Sequence, residues 1–173
     1  QVCNCQVAVH SCLVNEKYCP LVGTALYLPK KWAEDKERCK AAGIPLSDQR
    51  HQSKPALALK LIKEAIDAGA EFDFIAGDGL YGHDGDLTRA LDELEQFYVL
   101  DVHKDLQVFL NEPTFSIPAP KSTKGRKPSK ARADLPAISV QDYMQSLTDT
   151  DFSEEKVRKT AKGWKRVKVH TCS

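Results

Sequence analysis

Alternating apolar positions predict two strands at the start of the chain. Residues 2–14 alternate and then run apolar, and residues 21–28 ("LVGTALYL") form a second segment of strand character. The turn at residues 18–20 contains Pro20, so the two strands are expected to form a hairpin.

Helical and strand patterns then alternate. The charged stretch "KKWAEDKERCKAAG" predicts a short helix that ends at Gly43, and a clearer helix begins near Pro55 and ends at Gly69. "FDFIAG" (72–77) predicts a short strand, Asp84 caps another helix, and "FYVLDV" (97–102) predicts a further strand. A hairpin followed by strand–helix units indicates a mixed α/β sheet.

The pattern weakens after about residue 105. Residues 111–136 are rich in proline, lysine and serine and predict a loop or linker. A helix is expected near 139–147, and a basic strand is expected at "WKRVKVH". We therefore divide the chain into residues 1–105 and an insertion region at 106–173.

Charge is distributed unevenly along the chain. Residues 121–173 hold 13 basic and 6 acidic residues, a net charge of +7, whereas residues 1–120 hold 12 and 18, a net charge of −6. An acidic body with a basic tail suggests metal chemistry in one part and contact with a polyanion in the other. No apolar run approaches the roughly 18 residues of a membrane span, and no secretory signal is present. The chain starts at Gln1 and its only methionine is Met144, which favours truncation.

Six cysteines leave three interpretations open. They are Cys3, Cys5, Cys12, Cys19, Cys39 and Cys172. Buried structural thiols are favoured, because Cys3 and Cys5 share the apolar face of a predicted strand. A zinc site using Cys3, Cys5, Cys12 and His10 is a second interpretation, and disulfides are a third.

Asp78 is the first candidate for chemistry. It ends a predicted buried strand between Gly77 and Gly79, and ligands gather at the carboxyl ends of strands in open α/β sheets. A plain turn aspartate would give the same local pattern. Lys54 with "AGDG" also imitates phosphatases of the haloacid dehalogenase type, but the required Asp-x-Asp motif does not precede Lys54, and "DTD" at 149–151 lies downstream.

Several segments occur in one order that is specific to a family. "NCQVAV", "ALYLPKKWAEDKERCKAAGIP", "KPALALKLIKEAIDAG", "AGDGLYG" and "YVLDV" together resemble DDE-type transposases of bacterial insertion sequences over roughly residues 3–103. The "GRKP" and "KGW" segments resemble that family more weakly. The family often has Asp-Glu or a similar pair where this chain has Asp78-Gly79.

The resemblance implies an incomplete ribonuclease-H-like fold, in which three acids hold two Mg²⁺ (or Mn²⁺) ions for DNA cleavage and strand transfer. Asp78 matches the second acid, both catalytic residue and metal ligand. The first acid is expected before Gln1 and the third after Ser173, so this chain alone should be inactive. Glu112, Glu154 and Glu155 are poor substitutes because they lie in loop-like sequence.

Two basic segments are candidates for DNA contact. The tract 121–132 supplies Lys121, Lys124, Arg126, Lys127, Lys130 and Arg132, and contact with the phosphate backbone is expected, with a solvated loop as the alternative. Its Gly-Arg-Lys-Pro resembles minor-groove peptides. In "WKRVKVH", alternation places Trp164, Arg166 and Lys168 on one face, which suits either DNA contact or a soluble edge strand.

We therefore expect DNA transposition by a parent protein that acts on transposon ends and target DNA as a homodimer. A cytoplasmic, nucleoid-associated location follows from that expectation. A non-catalytic DNA-binding remnant is the alternative. His83 is interpreted as a surface-loop residue, and Tyr81 as a packing or DNA-facing residue near the site.

Overall fold

The computed structural model of the chain describes residues 6–119, 127–161 and 163–171. Two compact units are present, Gln1–His103 and Lys104–Ser173. None of the described helices has the length and apolar character to span a lipid bilayer.

The first unit is of mixed α/β class, as predicted. Its helices and strands are β1 (Val7–Cys12), β2 (Leu21–Tyr27), α1 (Lys30–Ala33), α2 (Lys36–Ala41), α3 (Lys54–Asp67), β3 (Ile75–Gly77), α4 (Gly79–Gly82), α5 (Gly85–Glu93) and β4 (Tyr98–Leu100). A 3₁₀ turn at Leu46–Asp48 lies between α2 and α3.

Strands β1 and β2 form the predicted antiparallel hairpin. Val9 pairs with Ala25, and the register shifts between Ser11 and Cys12. Val9 and Ala25 point inward and are buried with two leucines of α3, Leu57 and Leu61. This cluster is the core beneath the hairpin.

Helix α3 has the boundaries that its sequence signals require. The Ser53 hydroxyl accepts a hydrogen bond from the Ala56 N–H at 3.2 Å, and Pro55 lies in the first turn. Gly69 has a φ of 76°, a left-handed conformation that costs glycine little and stops the helix. The amphipathic pattern between these ends buries Leu57 and Leu61.

The charged stretch after β2 forms two short helices, α1 and α2, instead of one. Asp35 interrupts it and caps α2 through the Arg38 N–H at 2.9 Å. Cys39 is fully buried and its thiol donates to the Trp32 carbonyl at 3.0 Å. The thiol thus has the structural role expected of a buried cysteine.

Strands β3 and β4 pair in parallel, with Ile75 opposite Tyr98 and Gly77 opposite Leu100. The prediction of a buried strand before Asp78 is wrong, because Ala76 is exposed and its neighbours are only half-buried. In the part of the chain that the structure describes, β3 pairs with β4 alone, so its other edge has no strand partner. Buried parallel strands need cover on both sides.

The second unit consists of short pairings and one longer ribbon. Its elements are β5 (Gln107–Val108), β6 (Phe115–Ser116), β7 (Arg132–Ala133), β8 (Ile138–Ser139), α6 (Val140–Ser146), β9 (Ser153–Thr160) and β10 (Gly163–Val169), with a 3₁₀ turn at Asp149–Asp151.

Helix α6 and strand β10 confirm the predictions for this region. The loop-like interpretation of Glu154 and Glu155 is wrong, because both lie on β9, which pairs with β10. Lysine and glutamate lower the strand signal of β9, and cross-strand pairing overrides that local preference.

Candidate metal-binding site

Asp78 follows β3 directly and is the N-cap of α4. Its carboxylate accepts a hydrogen bond from the Leu80 N–H at 2.9 Å, and its carbonyl accepts from the Tyr81 N–H at 2.9 Å. The side chain is exposed. Local bonding therefore fixes one carboxylate oxygen and leaves the group open to solvent at the carboxyl end of a strand.

The glycines around Asp78 are required by close packing. A Cβ on Gly77 would lie 2.8 Å from Leu100 Cδ2, and one on Gly82 would lie 2.0 Å from the Asp101 carbonyl oxygen. A Cβ on Gly79 would touch the His103 ring at 3.4 Å. These small residues let α4 lie against the end of β4. The sequence had suggested a different reason for the glycines, namely the access of a ligand to the backbone.

Tyr81 anchors α4 to the core. It is half-buried and packs against the cluster that contains Val9 and Leu57, so its predicted packing role is confirmed. Burial, followed by the negative charge of Asp78, raises the pKa of Tyr81. The phenol therefore stays protonated at neutral pH and is a neutral neighbour of the carboxylate.

Asp101 is a second strand-end acid that the sequence analysis did not select. Gly77 pairs with Leu100, so Asp78 and Asp101 each occupy the position directly after the paired residues. The Asp101 N–H donates to the Gly77 carbonyl at 3.0 Å. A usable signal was present, since "YVLDV" ends its strand in aspartate just as "FDFIAGD" does.

Two histidines lie beside α4, the short helix that Asp78 caps. The ring centroids of His83 and His103 are 5.9 Å apart, with the ring planes at 67°. His83 is exposed at the end of α4, in agreement with its interpretation as a surface residue. His103 was not selected from the sequence and comes close only because β4 ends beside α4.

The donor chemistry at this edge suits a hard divalent cation, which prefers carboxylate oxygens. Asp78 and Asp101 are the acids that the β3–β4 pairing brings to the same edge. Among the described residues, however, no group of three or more His, Cys, Asp or Glu side chains could hold a metal ion. These residues therefore offer carboxylates of the kind that a divalent cation binds, and further ligands would have to complete a site.

The predicted DNA-binding residues belong to the second unit. Lys127, Lys130 and Arg132 are exposed, and Arg132 lies on β7 opposite Ser116. The other three members of the tract, Lys121, Lys124 and Arg126, lie outside the described residues. Half of the tract is thus placed on an accessible surface.

The cysteine alternatives resolve only in part. Cys12, Cys19 and Cys39 are free thiols, and the first two are exposed. Although Cys12 is exposed, partial loss of solvent around its thiol, followed by the charge and hydrogen bond of the neighbouring Cys19, raises the pKa of Cys12. Cys3, Cys5 and Cys172 lie outside the described residues, so the zinc interpretation stays a prediction.

Comparison with curated proteins gave no significant match, and comparison with solved structures gave none either. The model of the DDE superfamily endonuclease family matches residues 1–167 of the chain. That match covers nearly the whole sequence, including both strand-end aspartates and all of the second unit's ribbon except Lys168 and Val169. The chain belongs to the DDE superfamily endonucleases.

Proposed function

We propose that this chain contributes Asp78 as a metal-binding catalytic acid to DNA transposition, in which strands are cleaved and then joined to a target. The observation that carries the proposal is the exposed Asp78 carboxylate, held at the carboxyl end of β3 in a chain of the DDE superfamily. Endonuclease chemistry of the family explains why an acid is held open at this position.

The proposed architecture is a ribonuclease-H-like core over residues 1–105, with residues 106–173 as an insertion region. The hairpin β1–β2 and the parallel pair β3–β4 support this proposal, in which they and the helices would form part of such a core. In that assignment Asp78 is the second of three metal-binding acids.

Bound Mg²⁺, or Mn²⁺ in its place, would activate a water or a DNA 3′-hydroxyl and stabilise the leaving oxygen. Asp78 would offer its carboxylate oxygens as hard ligands, oriented by the Leu80 N–H. Asp101, which follows β4, is another strand-end acid that could share this work. One or two carboxylates bind such ions weakly, so this chain alone should not cleave DNA.

The proposed partner is DNA, both transposon ends and target. The basic tract, including Lys127, Lys130 and Arg132, would hold the phosphate backbone. The active assembly would be a homodimer. We place it in the cytoplasm, associated with the nucleoid, because its proposed substrate is there.

Metal binding tests the role of Asp78 without requiring turnover. In an amide NMR spectrum of the chain, Mn²⁺ should broaden the resonances of Leu80 and its neighbours more than those elsewhere. Asp78→Asn should abolish this local broadening, because the amide loses the charge that binds the ion. Asparagine caps a helix as well as aspartate, so the turn should remain intact.

Asp84→Asn is the matched control. Asp84 caps the next helix, α5, and accepts from the Leu87 N–H at 2.9 Å, as Asp78 accepts from Leu80. Its substitution should leave the broadening near Leu80 unchanged. If Asp78→Asn also left it unchanged, the assignment of Asp78 as a metal ligand would be wrong.

A protein with all three acids allows the catalytic test. There, Asp78→Asn should remove Mg²⁺-dependent strand cleavage, whereas Asp84→Asn should retain it. Cleavage that survives Asp78→Asn would contradict the catalytic role. Hydrolysis of a small phosphate ester by this chain would instead support the phosphatase interpretation.

A non-catalytic DNA-binding remnant is the second candidate. It is favoured because, among the described residues, no three His, Cys, Asp or Glu side chains lie together where they could hold a metal ion. Salt-dependent DNA binding by a protein whose complete gene encodes neither of the other two metal-binding acids would identify it.

A further inference from the structure

Two exposed cysteines lie near the turn of the hairpin β1–β2. Cys12 is the last residue of β1, and Cys19 lies two positions before β2 begins at Leu21. Both carry free thiols. Only six residues separate the two cysteines, so they belong to the two arms of one tight turn.

Hydrogen bonds hold the two arms of this turn together. The Leu13 N–H donates to the Pro20 carbonyl at 3.1 Å, and the Asn15 N–H donates to the Tyr18 carbonyl at 3.0 Å. The side-chain carbonyl of Asn15 also accepts from the N–H groups of Lys17 and Tyr18, at 2.9 and 2.8 Å. These bonds continue the antiparallel pairing past the ends of the strands, and the asparagine fixes the turn itself.

The register places both cysteines on the same face of the hairpin. Cys12 lies opposite Leu21, and Cys19 lies two positions from Leu21 on the other arm. Side chains two positions apart on an extended arm point to the same side, so the two cysteines are diagonal neighbours. Ser11 and Leu13 are half-buried, whereas Cys12 between them is exposed. Both thiols therefore lie on the face that solvent reaches.

The two thiols are also neighbours in contact. Partial loss of solvent, followed by the charge and hydrogen bond of Cys19, raises the pKa of Cys12. A higher pKa slows thiol exchange by lowering the thiolate fraction, but it leaves the two sulfurs side by side. Cys39 is different, because it is fully buried and its thiol donates to the Trp32 carbonyl. Access and proximity coincide only at the hairpin pair among the described cysteines.

We propose that Cys12 and Cys19 form a reversible dithiol–disulfide site that locks the turn of the hairpin. A small disulfide such as oxidised glutathione is the oxidant. One protein thiolate attacks it and releases one small thiol, and the second protein thiolate attacks the resulting mixed disulfide and releases the other. The two protein sulfurs are oxidised, the small disulfide is reduced, and the two protons of the protein thiols go to the released thiols. The site does not depend on Asp78, on a metal ion or on DNA.

The lock acts on a part of the hairpin that also faces α3. Leu13 and Val22 line a groove together with Leu61 and Ala65 of that helix. A disulfide requires its two Cα atoms to lie within about 7 Å, so its formation draws the arms of the turn together. Opening of the turn is then suppressed, because separation of the arms would require breaking a covalent bond.

Proteolysis provides a direct assay for the bond. Trypsin cuts after Lys17, between the two cysteines, and separates peptide 1–17 from peptide 18–30. The folded chain is equilibrated with oxidised and reduced glutathione and quenched with acid. The monomer is then isolated, which removes cross-links between chains. Mass spectrometry should find the two peptides joined, and dithiothreitol should separate them.

A Cys3→Ser, Cys5→Ser background makes the assignment unique. Cys12 is then the only cysteine of the first peptide, and Cys19 is the only cysteine of the second. Joined peptides can therefore arise only from the proposed bond. Cys39 is the internal control, and it should stay reduced because its thiol is buried.

The folded turn, rather than short spacing alone, should favour the bond. The ratio of oxidised glutathione to the square of reduced glutathione at half-oxidation should be lower by about tenfold or more in the folded chain than in urea. Asn15→Ala removes the side-chain bonds to Lys17 and Tyr18 and should move this ratio towards its value in urea. Glu16→Gln changes an exposed residue of the same turn and should leave the ratio unchanged.

Hydrogen exchange reports whether the bond locks the turn. The amides of Leu13 and Asn15, which bond across the turn, should exchange more slowly by about tenfold or more after oxidation. The Leu87 amide, which bonds to Asp84 at the start of α5, is the matched control and should exchange at the same rate in both states.

Three results would overturn the proposal. Absence of the joined peptides would show that the bond does not form, and equal ratios in the folded chain and in urea would show that the fold does not favour it. Equal ratios for Asn15→Ala and Glu16→Gln would show that the turn does not position the thiols. Failure of Mn²⁺ to bind near Asp78 would count against the proposed function and leave this site untouched.

Discussion

Replacing Gly82 by alanine should separate α4 from the end of β4. A Cβ at this position would lie 2.0 Å from the Asp101 carbonyl oxygen and 3.0 Å from its carbonyl carbon. Real Cβ atoms essentially never approach a heavy atom within 3.0 Å, and here the obstacle is backbone, which cannot rotate away. The two elements must therefore move apart by about 1.4 Å or more to restore ordinary van der Waals contact.

The expected cost follows from overpacking. Forcing an extra carbon into a filled contact costs about 1–3 kcal/mol, and we take about 2 kcal/mol for this site. For a unit of roughly 100 residues, that loss lowers the melting temperature by about 8–16 °C. In urea it shifts the unfolding midpoint by about 1 M, at a slope of about 2 kcal/mol per molar.

Gly85→Ala is the matched control. Gly85 lies three positions along the chain, a Cβ there meets nothing within 4 Å, and neither glycine has a positive φ. Alanine at Gly85 should therefore be neutral or should stabilise by about 0.4–1 kcal/mol, because it restricts the unfolded chain. Both substitutions add the same methyl group, but only the one at Gly82 collides with other atoms.

The assay follows Trp32 fluorescence in a Trp164→Phe background, which restricts the signal to the first unit. Trp32 packs against the buried cluster of Leu28, Ala33 and Cys39, so its emission should change on unfolding. Free energies of unfolding for Gly82→Ala and Gly85→Ala that agree within about 0.5 kcal/mol would refute the reasoning. The close approach of α4 to β4 would then not constrain the site.

Further predictions concern the core and the second unit. Leu91 is fully buried, so Leu91→Ala should cost about 2–5 kcal/mol in the same Trp32 assay, whereas Leu80→Ala, at 45% exposure, should cost less than about 0.5 kcal/mol. Lys168 holds the pKa of Asp149 below its ordinary value of 3.8. Their pairing should therefore stabilise the second unit above about pH 4 and be lost as pH falls through the lower folded pKa. Asp149→Asn should remove this dependence of the second unit's stability on pH. Unfolding is followed by Trp164 fluorescence in the Trp32→Phe background, and an unchanged pH dependence would contradict the assignment.

Local signals were sufficient where an element depends on neighbours within a few residues. Pro55 and Gly69 mark the ends of α3, and Asp84 caps α5 through the Leu87 N–H, as the sequence predicted. The hairpin also followed from alternation and a turn. Caps and turns involve hydrogen bonds between residues two to four positions apart, so their chemistry is visible in the sequence.

Errors arose where distant residues decide the outcome. Strand β9 escaped prediction because its polar residues pair with β10 across a turn, and pairing compensates for their low strand preference. Strand β3 was expected to be buried, yet burial depends on which elements cover it. The apolar residues of the segment alone could not show which elements would pack over the strand.

The sequence by itself determined the hairpin, helices α3 and α5, the family resemblance and the selection of Asp78, since each rests on residue types at fixed spacings along the chain. The tertiary structure decided which groups share the site. Parallel pairing brings Asp101 beside Asp78, and the packing of α4 brings His103 against Gly79. More than twenty residues separate these partners in sequence. Long-range strand pairing and close packing set their proximity, and no local pattern encodes either.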